Sequence, residues 1–220
     1  MENTVYSTIT CDISDVTAAI SAGSPYEYVL SGPSVNSRNH IKNIIQEYLK
    51  AIGKEKSYNL LCLCMEEIIS NSVKANIKRA YFLSNNLDIN NQDDYERGMK
   101  HFKEAGVANT KDKEFVKQVH DLGLYVKLCF FLKDDIFYIT ARNNSVISSQ
   151  ELDRINKKLK LSENQSPEDI FMNSIDTTEG AGLGIIMITK ILRQLSKASD
   201  CFSIRATDTE TITELKITKD

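Results

Sequence analysis

Apolar positions in the first part of the chain change from strand spacing to helical spacing. Residues 4–10, alternating through Val5 and Ile9, and residues 26–30 (Tyr-Glu-Tyr-Val-Leu) have the period of two expected of strands, with a short helix predicted over 16–20 between them. Ser31-Gly32-Pro33-Ser34 breaks the pattern. Ile41, Ile44, Ile45, Tyr48 and Leu49 then mark the buried stripe of a helix over about 36–52. A longer helix follows over about 56–82, with Leu61, Met65, Ile68 and Ile69 as its core stripe. After a polar loop at 84–94, weakly amphipathic helices are predicted at about 92–105 and 111–121, and residues 83–122 read as a helical insertion.

Two β-rich runs, 124–132 and 136–141, flank Lys133-Asp134-Asp135 and form a hairpin signal. A helix near 151–160, a loop around Ser166-Pro167 and an amphipathic stretch over 186–195 follow. Residues 199–206 and 211–218 make a second hairpin across Thr207-Asp208-Thr209-Glu210. Helices first, then hairpins separated by a glycine-started helix, predict an α+β fold. The expected form is a two-layer α/β sandwich, with a mixed, mostly antiparallel sheet and helices on one face. The whole chain, 1–220, reads as one domain with an N-terminal extension over 1–25 and the insertion at 83–122.

Composition narrows the class without naming it. Charged residues make up 26% and the net charge is −3, so no basic footprint for nucleic acid is present. Five scattered cysteines, Cys11, Cys62, Cys64, Cys129 and Cys201, fit neither a disulfide framework nor paired metal-ligand spacing. Cys62 and Cys64, about 200° apart on a helix, are expected to pack rather than ligate. No apolar run reaches the ~20 residues that span a bilayer and no signal peptide is evident. A cytoplasmic protein without membrane contact is expected, and monomer and homodimer both remain open.

Chemistry concentrates in two segments. Gly180, Gly182 and Gly184 alternate in Glu179-Gly180-Ala181-Gly182-Leu183-Gly184 and run into a helix. Such a loop lets backbone approach a ligand closely and presents free N–H groups to phosphate at a helix N-terminus. Glu67, Asn71, Lys74 and Lys78 fall at i, i+4, i+7 and i+11, on one helix face. They read either as a solvated polar ladder or as a site with a carboxylate, an amide oxygen for a hard cation and an ammonium for phosphate.

Glu67-x-x-x-Asn71-Ser72-x-Lys74 resembles the N-box, and Gly180-x-Gly182-Leu183-Gly184 the second glycine box, of the GHKL ATPase superfamily. In layout the chain is most similar to bacterial anti-sigma-factor serine kinases and to the ATP-binding domains of histidine kinases. The resemblance covers about 26–82 and 123–219. It implies a Bergerat-type fold binding Mg²⁺ and ATP, with Asn71 on the metal and Glu67 orienting or deprotonating the attacking group. Lys74 would approach phosphate, and Gly180, Gly182, Leu183 and Gly184 would form the phosphate cradle. Thr213 would lie near adenine, and residues 148–179 would be a lid. The activity implied is a serine or histidine protein kinase, or an ATPase, acting on a protein partner in trans.

The first glycine box departs from the pattern: where the family has Asp-x-Gly-x-Gly, this chain has Ala141-Arg142-Asn143-Asn144-Ser145-Val146-Ile147, without either glycine. Strand phase, with Ile139 and Ala141 inward, puts Asn143 at the aspartate position, whereas an ungapped count back from Leu152 and Ile155, in a segment (147–155) that resembles the one after the first glycine box of sensor histidine kinases, puts Arg142 there. An amide oxygen can still accept from an adenine amino group and a guanidinium cannot, which favours Asn143. The altered box also fits the alternative of a degenerate, non-catalytic interaction or scaffold module of the same fold. His40 is expected on the surface of its helix.

Overall fold

The computed structural model describes residues 12–30, 35–104, 113–164 and 183–219. Helix α1, Ile13–Ala22, starts at Asp12, whose carboxylate accepts from the Ser14 N–H at 3.1 Å, and ends at Gly23 in the left-handed region with φ 57°. Its Val16 is fully buried, which fastens the N-terminal extension to the core. The strand expected over 4–10 lies outside the described residues. Strand β1, Tyr26–Leu30, leads to helix α2, Val35–Ala51, and a single 3-10 turn at Glu55–Ser57 precedes helix α3, Tyr58–Ser84.

Helices α4, Gln92–Glu104, and α5, Lys113–Asp121, occupy the stretch read as an insertion. They pack on the C-terminal half of α3 through small clusters of their own, Ile77 with Phe102, and Phe82 with Ile89 and Tyr95. Gly98 permits the approach: a Cβ there would lie 2.6 Å from the Phe82 ring.

Strands β2, Val126–Lys133, and β3, Ile136–Asn143, form the first hairpin, and Asp134 and Asp135, with φ of 51° and 60°, make its two-residue turn. Helix α6, Ser149–Asn164, follows β3. Helix α7, Leu183–Leu195, precedes β4, Phe202–Ala206, and β5, Thr211–Thr218. The five described strands form one sheet in the order β1-β2-β3-β5-β4, and every pairing is antiparallel. Among the described strands the sheet is therefore antiparallel rather than mixed as expected. Both hairpins are antiparallel by construction, and β5 enters beside β3 in the sense opposite to it.

Alternation decides which sheet face carries the helices. Val126, Leu128 and Phe130 of β2, Phe137, Ile139 and Ala141 of β3, and Leu215 and Ile217 of β5 are buried against α2, α3 and α7. The opposite face holds charged pairs such as Lys127 with Glu27, 3.4 Å, and Arg205 with Glu214, 3.3 Å. At the centre, Tyr48 stacks on Phe137 with centroids 4.5 Å apart, and its hydroxyl donates to the Phe130 carbonyl at 3.0 Å. The result is an α+β protein with helices layered on an antiparallel sheet. No described helix is long and apolar enough to cross a membrane.

Cys62 and Cys64 are both buried. Burial pushes the Cys64 thiol from 9.0 up to about 12 and the Tyr48 phenol from 10.0 up to about 12. Both groups ionise earlier in the unfolded chain, so the stability their neutral forms confer is complete below pH ~9 and lost as pH climbs toward ~12. Urea midpoints should therefore fall between about pH 9 and pH 11, and the Cys64→Ala/Tyr48→Phe variant should show a flatter decline. An equally steep decline in that variant would assign the loss to other groups.

Candidate functional site

The face of α3 predicted to carry chemistry divides in two. Asn71, one turn beyond Glu67, donates its Nδ2 to Glu67 Oε1 at 3.0 Å. The amide oxygen is not used in that bond, so this pair offers two hard oxygen donors at one point on the helix. Lys74 is exposed on the next turn. Lys78 is held elsewhere: its ammonium pairs with Glu151 of α6, and the two side chains are only 15% and 17% exposed.

Helix α7 meets α3 at the same point. A Cβ placed on Gly184, in the first turn of α7, would overlap the Glu67 carboxylate. With Glu67 in this position only a hydrogen side chain fits at 184, so Gly184 leaves the Glu67 carboxylate room beside the start of α7. Leu183 opens α7. Gly180 and Gly182, expected in the phosphate cradle, lie outside the described residues, as does the part of the expected lid from 165 to 179.

Asn143 ends β3 and is 4% exposed, on the same face as Ile139 and Ala141, whereas Arg142 points the other way and sits 3.6 Å from Glu210. Strand phase thus turns Asn143 toward the helical layer and Arg142 away from it. Its Nδ2 donates to the Ser145 carbonyl at 3.2 Å. Thr213 is buried on β5, paired in register with Ala141, while Thr211 is the residue opposite Asn143. Thr211 Oγ1 donates to the Ser145 carbonyl at 2.7 Å and accepts from the Ile147 N–H at 2.8 Å.

Several of these residues escaped sequence reasoning. Thr211 was hidden because β-pairing register, which sets it opposite Asn143, is not readable from either strand alone. Ser148 and Glu151 had a legible signal, since Ser-x-x-Glu ahead of an apolar-patterned run is a capping box. Ser148 donates its N–H and hydroxyl to Glu151 Oε2 at 3.4 and 3.2 Å, and the Glu151 N–H returns to Ser148 Oγ at 3.3 Å.

A cavity of about 290 Å³ lies on the other flank of α3, against α2, with Ile41, Ile45, Met65 and Ile69 among its walls. Glu67 and Met187 border it, so Glu67 stands between this cavity and Gly184. His40 is half-buried rather than on the surface: Nε2 lies 3.1 Å from the Tyr26 hydroxyl, the Tyr28 ring is 5.0 Å away, and burial lowers its pKa. Neighbouring strand aromatics, which helix periodicity does not register, account for the difference.

Fold and site together define an α+β protein in which α3 and α7 converge on a Glu-Asn pair. The chain is 30% identical over 179 residues to an uncharacterized protein of Treponema pallidum (strain Nichols), a match covering 81% of this chain and 34% of that protein. It thus spans 34% of the length of this relative. No family model and no solved structure matches the chain.

Proposed function

We propose that the chain is a GHKL-like protein with a Bergerat-type fold that binds Mg-ATP and acts on a protein partner in trans, as a regulatory protein kinase or ATPase in the cytoplasm. The observation that carries this reading is the meeting of Gly184 with Glu67 while Glu67 holds Asn71. Two segments more than 100 residues apart, each suited to one part of a metal-nucleotide, come together at one point. The donors suit magnesium, which keeps waters and takes one or two protein oxygens plus phosphate rather than a full protein cage. Among the described residues no cluster of three or more His, Cys, Asp or Glu offers such a cage.

When bound, the ion would neutralise charge on the phosphates. Asn71 would hold it through the amide oxygen, Glu67 would orient the attacking group, and Lys74 would supply a positive charge. Asn143 and Thr213 would face the base. A second reading, a degenerate, non-catalytic interaction or scaffold module of the same fold, is favoured by Asn143, whose amide nitrogen is already engaged by the Ser145 carbonyl in a buried, internally bonded loop.

Calorimetric titration with ATP, ADP and GTP, with and without Mg²⁺, tests the proposal. Asn71→Ala should remove the Mg²⁺-dependent part of the affinity, and Glu67→Ala should preserve binding while slowing hydrolysis or transfer, by roughly 100-fold or more for a lost base. Tight binding with no turnover, in wild type and Glu67→Ala alike, would select an interaction module that still takes nucleotide. Absence of nucleotide binding in wild type would end the ATP-dependent reading and leave the interaction module.

A further inference from the structure

The loop that should carry the missing glycines is held by side chains instead. Asn144 fixes its start: the amide accepts from the Tyr125 N–H at 2.8 Å and donates to the Gly123 carbonyl at 2.9 Å. Asn76 of α3 donates to the Tyr125 carbonyl at 3.0 Å, so that end of the loop is tied to α3 at one remove. Asn143 and Thr211 both bind the Ser145 carbonyl, and Thr211 also receives the Ile147 N–H. The far end is fixed by Glu151 alone among these groups. One carboxylate closes the capping box with Ser148, pairs with Lys78 of α3 and lies 3.4 Å from the Tyr95 hydroxyl of α4, whose ring carries the Arg154 guanidinium at 5.7 Å.

Lys78 lies on the same helix as Glu67 and Asn71, and Glu151 starts the helix that follows Asn143. One largely buried ion pair therefore joins the element bearing the metal-type donors to the segment bearing the base-facing amide. We propose that Glu151, clamped on Lys78, is a positioning residue for nucleotide binding that sets the 143–148 loop against the Glu67-Asn71 face. This rests on the nucleotide-binding reading above. A glycine loop adapts its backbone to a bound base, whereas this loop is fixed in advance, its start and middle by Asn144, Asn143 and Thr211 and its far end by Ser148, Glu151 and Lys78. The capping box alone would start α6 equally well if Lys78 were neutral, so the link to α3 is a separate function of the same carboxylate.

The test compares full-length wild type, Lys78→Met, Glu151→Gln and the double variant by calorimetry with Mg-ATP, ADP and adenosine, well below each variant's Tm. Glutamine still accepts from the Ser148 N–H, and methionine keeps the apolar stem of Lys78 in place. Each single variant should weaken all three ligands by about tenfold, because the base-side wall moves while the metal donors stay. The double variant should be no weaker than either single one, which marks a loss that belongs to the pair. Amide exchange should quicken over 144–160 and stay unchanged in α2.

A loss confined to Mg-ATP, additive losses in the double variant, or wild-type affinity in both single variants would each overturn the positioning role while leaving nucleotide binding intact. No binding of any of the three ligands by wild type would overturn the nucleotide reading itself and this inference with it.

Discussion

Replacing Gly184 with valine is expected to weaken Mg-ATP binding by about 100-fold or more, equivalent to roughly 2.7 kcal/mol, without unfolding the protein. Even one added carbon at 184 occupies the volume of the Glu67 carboxylate, so the branched side chain must drive Glu67 off Asn71 or push the first turn of α7 away from α3. Either response separates the groups assigned to metal and phosphate. Calorimetry reads the affinity and a thermal melt reads the fold. Unchanged affinity in a folded Gly184→Val protein would detach α7 from the proposed site.

A stability measurement isolates the contact without any ligand. Glycine to alanine inside a helix normally gains about 1 kcal/mol. Here Gly184→Ala should gain nothing or lose stability in wild type, and should recover the gain in a Glu67→Ala background, where the overlapping carboxylate is gone. Equal effects in both backgrounds would mean that the two side-chain positions do not compete.

Phe137→Ala should be the most damaging single truncation in the sandwich, at about 3–5 kcal/mol. The ring is fully buried, stacked on Tyr48 and beside Phe130, at the middle of the sheet where α2 and β3 meet. Tyr48→Phe keeps that stack and removes one hydrogen bond to the Phe130 carbonyl, so it should cost only about 1 kcal/mol. Urea unfolding at constant m-value separates the two effects. If Phe137→Ala cost less than Tyr48→Phe, the ring stack would not be the centre of the core.

Much of the architecture was legible because it is local. The stripe Ile41, Ile44, Ile45, Tyr48 and Leu49 is the buried face of α2, and Lys133-Asp134-Asp135 marked the first hairpin turn, whose two residues, Asp134 and Asp135, have positive φ. Phase along β3 was enough to turn Asn143 inward and Arg142 outward. Contacts between distant segments were not legible. Nothing near Gly184 announces that its neighbour is Glu67, and nothing near Lys78 announces Glu151, because side-chain spacing along one helix cannot report which helix lies across from it. Placing β5 beside β3, which makes the described sheet antiparallel, belongs to the same category.

The chain leaves α3 at its end, after Ser84, and is back against the same helix at Asn76, whose amide holds the Tyr125 carbonyl where β2 begins. Eight helical residues separate the two points, about 12 Å along the axis, a span that roughly four extended residues cover. The excursion through α4 and α5 therefore lengthens the chain without lengthening the path from α3 to β2. It is a detour with neighbouring entrance and exit, so the sheet and the Glu67-Asn71 face lie on a chain path that does not depend on its length.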